Sequence, residues 1–196
     1  MYSLNTQHHK KFNVYSHALG GAYATYCILA GHLASKTRYK RLCLTVNGPV
    51  MLFASAWGHH YESWKVDYWG IVSSIYGSAM LALEKIYHHR VGPPRRRLRF
   101  LQVAATLYYF YQLWNIRRIR DNDTYTHQLV PFALCLWGGP FYLVMANKAR
   151  GFKYLKLAFY NSLFGFFVYN MGTTESIPHN FWHLFAINSH LLFRQL

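Results

Sequence analysis

The chain has 196 residues, of which 21 are Lys or Arg and only 6 are Asp or Glu, giving a formal charge of +15. Its 53% apolar content excludes a disordered chain, and its length allows one domain or at most two small ones. Three cysteines (Cys27, Cys43, Cys135) cannot form a disulfide framework and lack the paired spacing of a zinc knuckle.

Mean hydropathy is −0.02, which on average would suit a soluble basic protein. The distribution of charge says otherwise. Basic residues gather in short runs, and between them lie seven stretches nearly free of formal charge. The first, Val14–Ala34, is not preceded by a signal-type charged region with a cleavage site, so it is expected to be retained. Leu42–Tyr61 follows and carries Gly48-Pro49, which predicts a local distortion. Val66–Leu83 is the third, and Gly92-Pro93-Pro94 separates it from the fourth, Phe100–Ile116. His127–Asn147, with Gly139-Pro140 inside it, Tyr154–Met171 and Pro178–Phe193 complete the set. A helix needs about 20 residues to cross a bilayer, fewer when aromatic side chains sit at the interfaces. A soluble helix would carry a charged face at helical spacing, and Leu101–Trp114 and Leu129–Met145 have none. The expected fold is all-α: one polytopic membrane domain over residues 1–196, a seven-transmembrane-helix bundle.

With seven spans the loops alternate sides, which sorts fifteen cations to one face and six to the other. The poorer face holds Lys10, Lys11, Lys65, Arg117, Arg118 and Arg120, with the acids Glu62, Asp67, Asp121, Asp123 and Glu175 on or near it. The positive-inside rule then places the N-terminus outside or in a lumen and the C-terminus in the cytosol. The run Arg95–Arg99 is read as a loop attracted to anionic lipid heads, and no nucleic-acid partner is expected.

Ionisable groups at membrane depth need a reason. Ser55-Ala56-Trp57-Gly58-His59-His60 ends the second span, Lys65-Val66-Asp67 opens the third, and Pro178-His179-Asn180-Phe181-Trp182-His183 opens the seventh. His179 and His183 are four apart and share a helix face, as do Ser55 and His59. Seven spans put all three places on one membrane side. Three histidines there, with a carboxylate and a hydroxyl, match a catalytic zinc site, which needs three protein ligands and an open position. His60 rivals His59, because adjacent helical residues point about 100° apart. His17, His32 and His190 are read as hydrogen-bonding residues between helices, and the His8-His9 and His88-His89 pairs as solvated.

Four motifs carry a resemblance. Asn13-Val14-Tyr15-Ser16-His17-Ala18-Leu19-Gly20 is similar to N-I-W-S/T-H-L-L-G, and Ser55 to His59 is similar to S-x-x-x-H. Lys65-Val66-Asp67-Tyr68-Trp69-Gly70-Ile71 is similar to L-D-Y-x-G-I, and His179 to His183 to a final H-x-x-x-H. In this order they resemble the progestin and adipoQ receptor family, which includes the hemolysin III-like proteins and belongs to a wider group with the alkaline ceramidases. The resemblance implies zinc held by His59, His179 and His183. It also implies Asp67 orienting or deprotonating the metal-bound water, and Ser55 either supporting the ligands from behind or helping to hold the developing oxyanion. The function expected is zinc-dependent hydrolysis of a lipid amide or ester, with a ceramide-like or other acyl lipid as substrate. The alternative is a receptor or regulator with a structural zinc, and a weaker third reading is a proton-path transporter. Tyr108, Tyr109, Phe110, Phe141, Phe164, Phe166 and Phe167 are candidates to line an acyl-chain cavity.

Overall fold

A computed structural model describes residues 2–32, 37–89, 94–118, 122–148, 150–171 and 177–195. The sequence readings of Lys36, Arg90, Gly92-Pro93, Arg120, Asp121 and Glu175 lie outside these residues, as do the side chains of His32 and Asp123.

Among the described residues the chain is all-α and forms seven helical rods. The first is α1 (Tyr2–Cys27), which ends in a π-helical turn at Ile28–His32. It begins well before the apolar stretch that predicted it, because the polar segment ahead of Val14 is helical too. The second rod is built from α2 (Arg38–Thr45) and α3 (Met51–Tyr61), joined by a π-helical turn at Val46–Val50. Thr37 caps its start by accepting a hydrogen bond from the Lys40 backbone N–H. Pro49 lacks a backbone N–H and so cannot continue the α-helical ladder, which places the wide turn where Gly48-Pro49 predicted a distortion. The remaining rods are α4 (Trp64–His88), α5 (Arg95–Arg118), α6 (Asn122–Ala146), α7 (Lys153–Tyr169) and α8 (Ile177–Arg194). α6 runs on through Pro131 and Pro140 as a continuous helix.

α4 is the axis of the bundle and packs against α2, α3, α5 and α6, while α1 closes against α3 and α8, and α7 against α8. Small residues let the axis be approached closely. A Cβ on Gly77 would stand 2.1 Å from Val46 Cγ2, and one on Gly70 would stand 3.1 Å from Met51 Cα. Val72, Ala79, Leu81, Ala82 and Ile86 of α4 are fully or almost fully buried in a cluster with Ile116, Phe132, Phe152, Leu155 and Phe159. Polar groups in this core are paired. Asn47 donates to the Cys43 carbonyl (3.0 Å), Ser74 donates to Asn47, and the Trp137 indole donates to Ser78 (2.9 Å).

Outward-facing positions are rich in large apolar side chains, among them Leu19, Leu29, Phe100, Leu107, Leu134 and Phe167. By length and composition, Gln128–Ala146 is the one stretch among the described residues apolar enough to cross a membrane. Lys40, counted with the basic loops, is instead buried in the first turn of α2.

Candidate metal centre

One end of the bundle gathers the histidines. α3 stops there because Glu62 adopts the left-handed conformation (φ 56°), and the N–H groups of Glu62 and Ser63 both reach the Gly58 carbonyl. Two residues later α4 begins, so α3 and α4 form a tight antiparallel hairpin. Gly58 is needed at this crossing: a Cβ there would stand 2.8 Å from the Asp67 Cβ. Lys10 ties α1 to the same corner through an ion pair with Glu62 at 2.7 Å, and this holds the Glu62 carboxyl below its usual range. α8 enters from the other side with Pro178 in its first turn, where the missing N–H costs nothing.

His59, His179 and His183 converge and are all buried. His59 Nε2 stands 3.2 Å from His179 Nε2 and 3.0 Å from His183 Nε2, and one nitrogen of each ring lies within 4.8 Å of the others. A neutral imidazole nitrogen offers either one proton or one in-plane lone pair, so His59 Nε2 cannot serve both neighbours well by hydrogen bonding. A single cation can. At the usual Zn–N length, the N···N edge of a tetrahedron is about 3.3–3.4 Å, close to both separations. The cluster is compatible with a metal ion by geometry and by donor type.

Of the adjacent pair, His59 is the one turned inward. His60 is exposed and packs edge-on against Tyr61. Ser55 is buried one turn deeper on the His59 face of α3. Asp67 is half-buried on the first turn of α4, beside Gly58 and therefore beside the helix that carries His59.

Two neighbours flank the cluster, His17 from the first motif and Tyr169, which had no distinct signal in the sequence. His17 packs on His183 with ring centres 3.8 Å apart and planes tilted by 39°, and its Nε2–H donates to the His183 carbonyl at 3.3 Å. It is the interhelical hydrogen-bonding residue that its position predicted, and it also buttresses a cluster histidine. Tyr169, at the end of α7, packs its ring 5.4 Å from that of His179. It shares a side-chain hydrogen bond with Tyr68 and lies within electrostatic range of Asp67. Seventeen tyrosines are spread through the chain with no spacing to single this one out.

The other histidines sort as follows. His190 is buried against Gly48, about two turns below His183, and is not the hydrogen-bonding residue expected, since neither ring nitrogen has a partner among the described residues. His8, His88 and His89 are exposed, as expected. His9 is not solvated as its neighbours are: half-buried, its Nδ1 lies 2.7 Å from the Asn180 side-chain amide.

Beneath the cluster, a cavity of about 310 Å³ opens between α4, α6, α7 and α8. Its walls are apolar (Ile71, Leu129, Trp137, Phe159), and Tyr169 and Trp182 form its top. Of the seven aromatic candidates, Phe141 and Phe166 line it. Tyr109 and Phe110 line a separate groove, Phe164 and Phe167 face outward, and Tyr108 packs on Phe132.

No protein-family model, no curated protein and no solved structure matches this chain.

Proposed function

We propose that this chain is a zinc-dependent integral-membrane hydrolase of a lipid amide or ester. The observation that carries the reading is the convergence of three imidazole nitrogens, from the end of α3 and the start of α8, beside the carboxylate-bearing first turn of α4. His59, His179 and His183 would hold the ion, and one face would remain for water and the scissile carbonyl. Zinc held by these residues would supply Lewis-acid chemistry, polarising a carbonyl and lowering the pKa of water. Asp67 is the general base, taking a proton from the attacking water and returning it to the leaving amine or alkoxide. Ser55, buried on the His59 face, donates its hydroxyl to the oxygen on which charge develops.

The apolar cavity supports an acyl lipid as substrate. It reaches from Tyr169 and Trp182, next to His179, down to Phe159, ten residues back along α7 and so about 15 Å away. A chain lying there would present its carbonyl upward to the histidines. The outward Leu and Phe side chains and the charge-free stretches support placement in a bilayer. The charge count adds an outward or luminal N-terminus. The four-motif resemblance to the progestin and adipoQ receptor family and its ceramidase relatives points to the same chemistry.

The test is hydrolysis of a panel of ceramides and other acyl lipids by the purified chain, with zinc quantified in the same samples. Turnover by wild type that disappears in His183→Ala is expected. Equal background rates from both overturn the enzyme. Stoichiometric zinc with no turnover on any lipid would leave a structural site, as a receptor or regulator would have.

A further inference from the structure

A second concavity, on the outer face between α3, α4 and α5, shares no residue with the cavity under the histidines. It encloses about 520 Å³. Gly70 and Ser73 form its floor, and Val50, Trp69, Phe110 and Leu113 are among its walls. The floor's hydroxyls are already engaged. Ser73 bonds the Trp69 carbonyl at 2.7 Å and the Tyr109 hydroxyl at 2.9 Å, so the surface offered to an occupant is apolar. Trp114 and Phe110 remain more than half exposed (52% and 60%).

The groove has a polarity. α4 and α5 run antiparallel, so Arg117 stands level with Val66 at the histidine end, while Phe110 and Ser73 lie seven residues, or about 10 Å, further down. Three cations mark the upper end. Arg117 lines the groove, Lys65 Nζ donates to the Arg117 carbonyl at 3.3 Å, and the Arg118 guanidinium lies 5.0 Å from the Trp114 ring centre. The ion pair found among the described residues, Lys10–Glu62, uses none of them. Asp67, the carboxylate nearest Lys65 in the chain, sits at the α3 crossing beside Gly58.

We infer that this groove binds a membrane phospholipid with an anionic headgroup, its phosphate on Arg117 and Lys65 and one acyl chain along Trp69, Leu113 and Phe110. A free anion would use the cations and leave the groove unexplained. An uncharged lipid would use the groove and leave three cations that have no ion pair among the described residues without a counter-charge. The guanidinium fork suits a phosphate, and Trp at the upper end suits the headgroup level of a bilayer. Charge selects the headgroup, whichever leaflet supplies it. The inference rests on the membrane reading above but not on hydrolysis.

The test uses the full chain in phosphatidylcholine vesicles, where brominated-chain phosphatidylglycerol quenches tryptophan fluorescence on contact. Its quenching is compared with that by brominated phosphatidylcholine. Phosphatidylglycerol is expected to be preferred, and Trp69→Phe is expected to remove part of the signal. Arg117→Gln and Lys65→Gln should each lower the preference about fivefold, while Lys11→Gln, an exposed cation of α1 outside the groove, should not change it. Helical circular dichroism, which every rod contributes to, verifies that each variant is folded. Equal quenching by both lipids, or a preference that survives Arg117→Gln and Lys65→Gln, overturns this site and leaves the membrane reading standing. A chain that fails to enter vesicles overturns both.

Discussion

The seam between α1 and α8 and the core around α4 follow opposite rules. Around α4, polar side chains pair with one another, as Asn47 does with Ser74 and Trp137 with Ser78, and the rest is close-packed apolar surface. Along the seam, eight buried side-chain atoms have no hydrogen-bond partner among the described residues, and all belong to Asn13, His17, His179, Asn180, His183 and His190. A buried polar group left unpaired costs about 1–3 kcal/mol, so a fold selected only for stability would not concentrate them in one place. The core is built to hold the rods together. The seam leaves these groups unpaired at a cost in stability, right behind the three Nε2 atoms that converge on one another.

Several substitutions would break or sharpen that contrast. The largest effect is expected at the cluster: His183→Ala or His179→Ala should lower zinc affinity by more than about 100-fold, read by metal analysis, while His60→Ala leaves it unchanged. A zinc loss on His60→Ala would mean that the wrong member of the pair has been placed inside. Asp67→Asn should cut lipid hydrolysis by about 10²–10⁴ with zinc retained. Loss of both together would make Asp67 a structural support instead of a base. On the core side, Gly77→Ala drives a methyl into Val46 and should cost about 1–3 kcal/mol in unfolding, with zinc affinity of the folded protein unchanged. His17→Phe keeps the ring contact with His183 but removes the bond to its carbonyl. A drop of about tenfold in zinc affinity is expected, with little change in unfolding. The smallest effect belongs to the exposed Lys10–Glu62 pair. Because Lys10 depresses the Glu62 pKa, the pair contributes only above the usual carboxylate range and is lost as pH falls through the lowered value. Glu62→Gln should therefore leave the melting temperature at pH 7 almost unmoved.

Much of this architecture was legible in the amino-acid sequence, for reasons that can be named. Gaps between charge runs mark the rods, because a charged side chain inside an apolar stretch is costly wherever it is buried. Counting rods then fixes parity, which brings His59 and His179 to one end without any knowledge of packing. What could not be read depends on rotation about a helix axis. His59 and His60 are adjacent, and only the spacing from Ser55 spoke for His59, while seven aromatic residues gave seven candidates where Phe141 and Phe166 line the cavity. Aromatic side chains occupy every face of these helices, so composition alone cannot say which face is inside. Mean hydropathy also misleads here, since rods rich in Tyr, Trp and His score as polar while presenting large apolar surfaces.

The wide turn at Val46–Val50 settles the choice between the two adjacent histidines. A π-helical turn amounts to one residue inserted into an α-helix, and everything beyond it is advanced by about 100°. It acts as a frameshift in the helix, written upstream of the residues whose reading frame it sets. Delete one residue there and the frame reverts: His60 moves into the place of His59, and His59 moves into the place of Gly58. The metal would still find an imidazole. The crossing with α4 would not survive, because the slot facing Asp67 has no room for a side chain. The doublet at 59–60 is thus no spare ligand, since the glycine that precedes it admits one frame only.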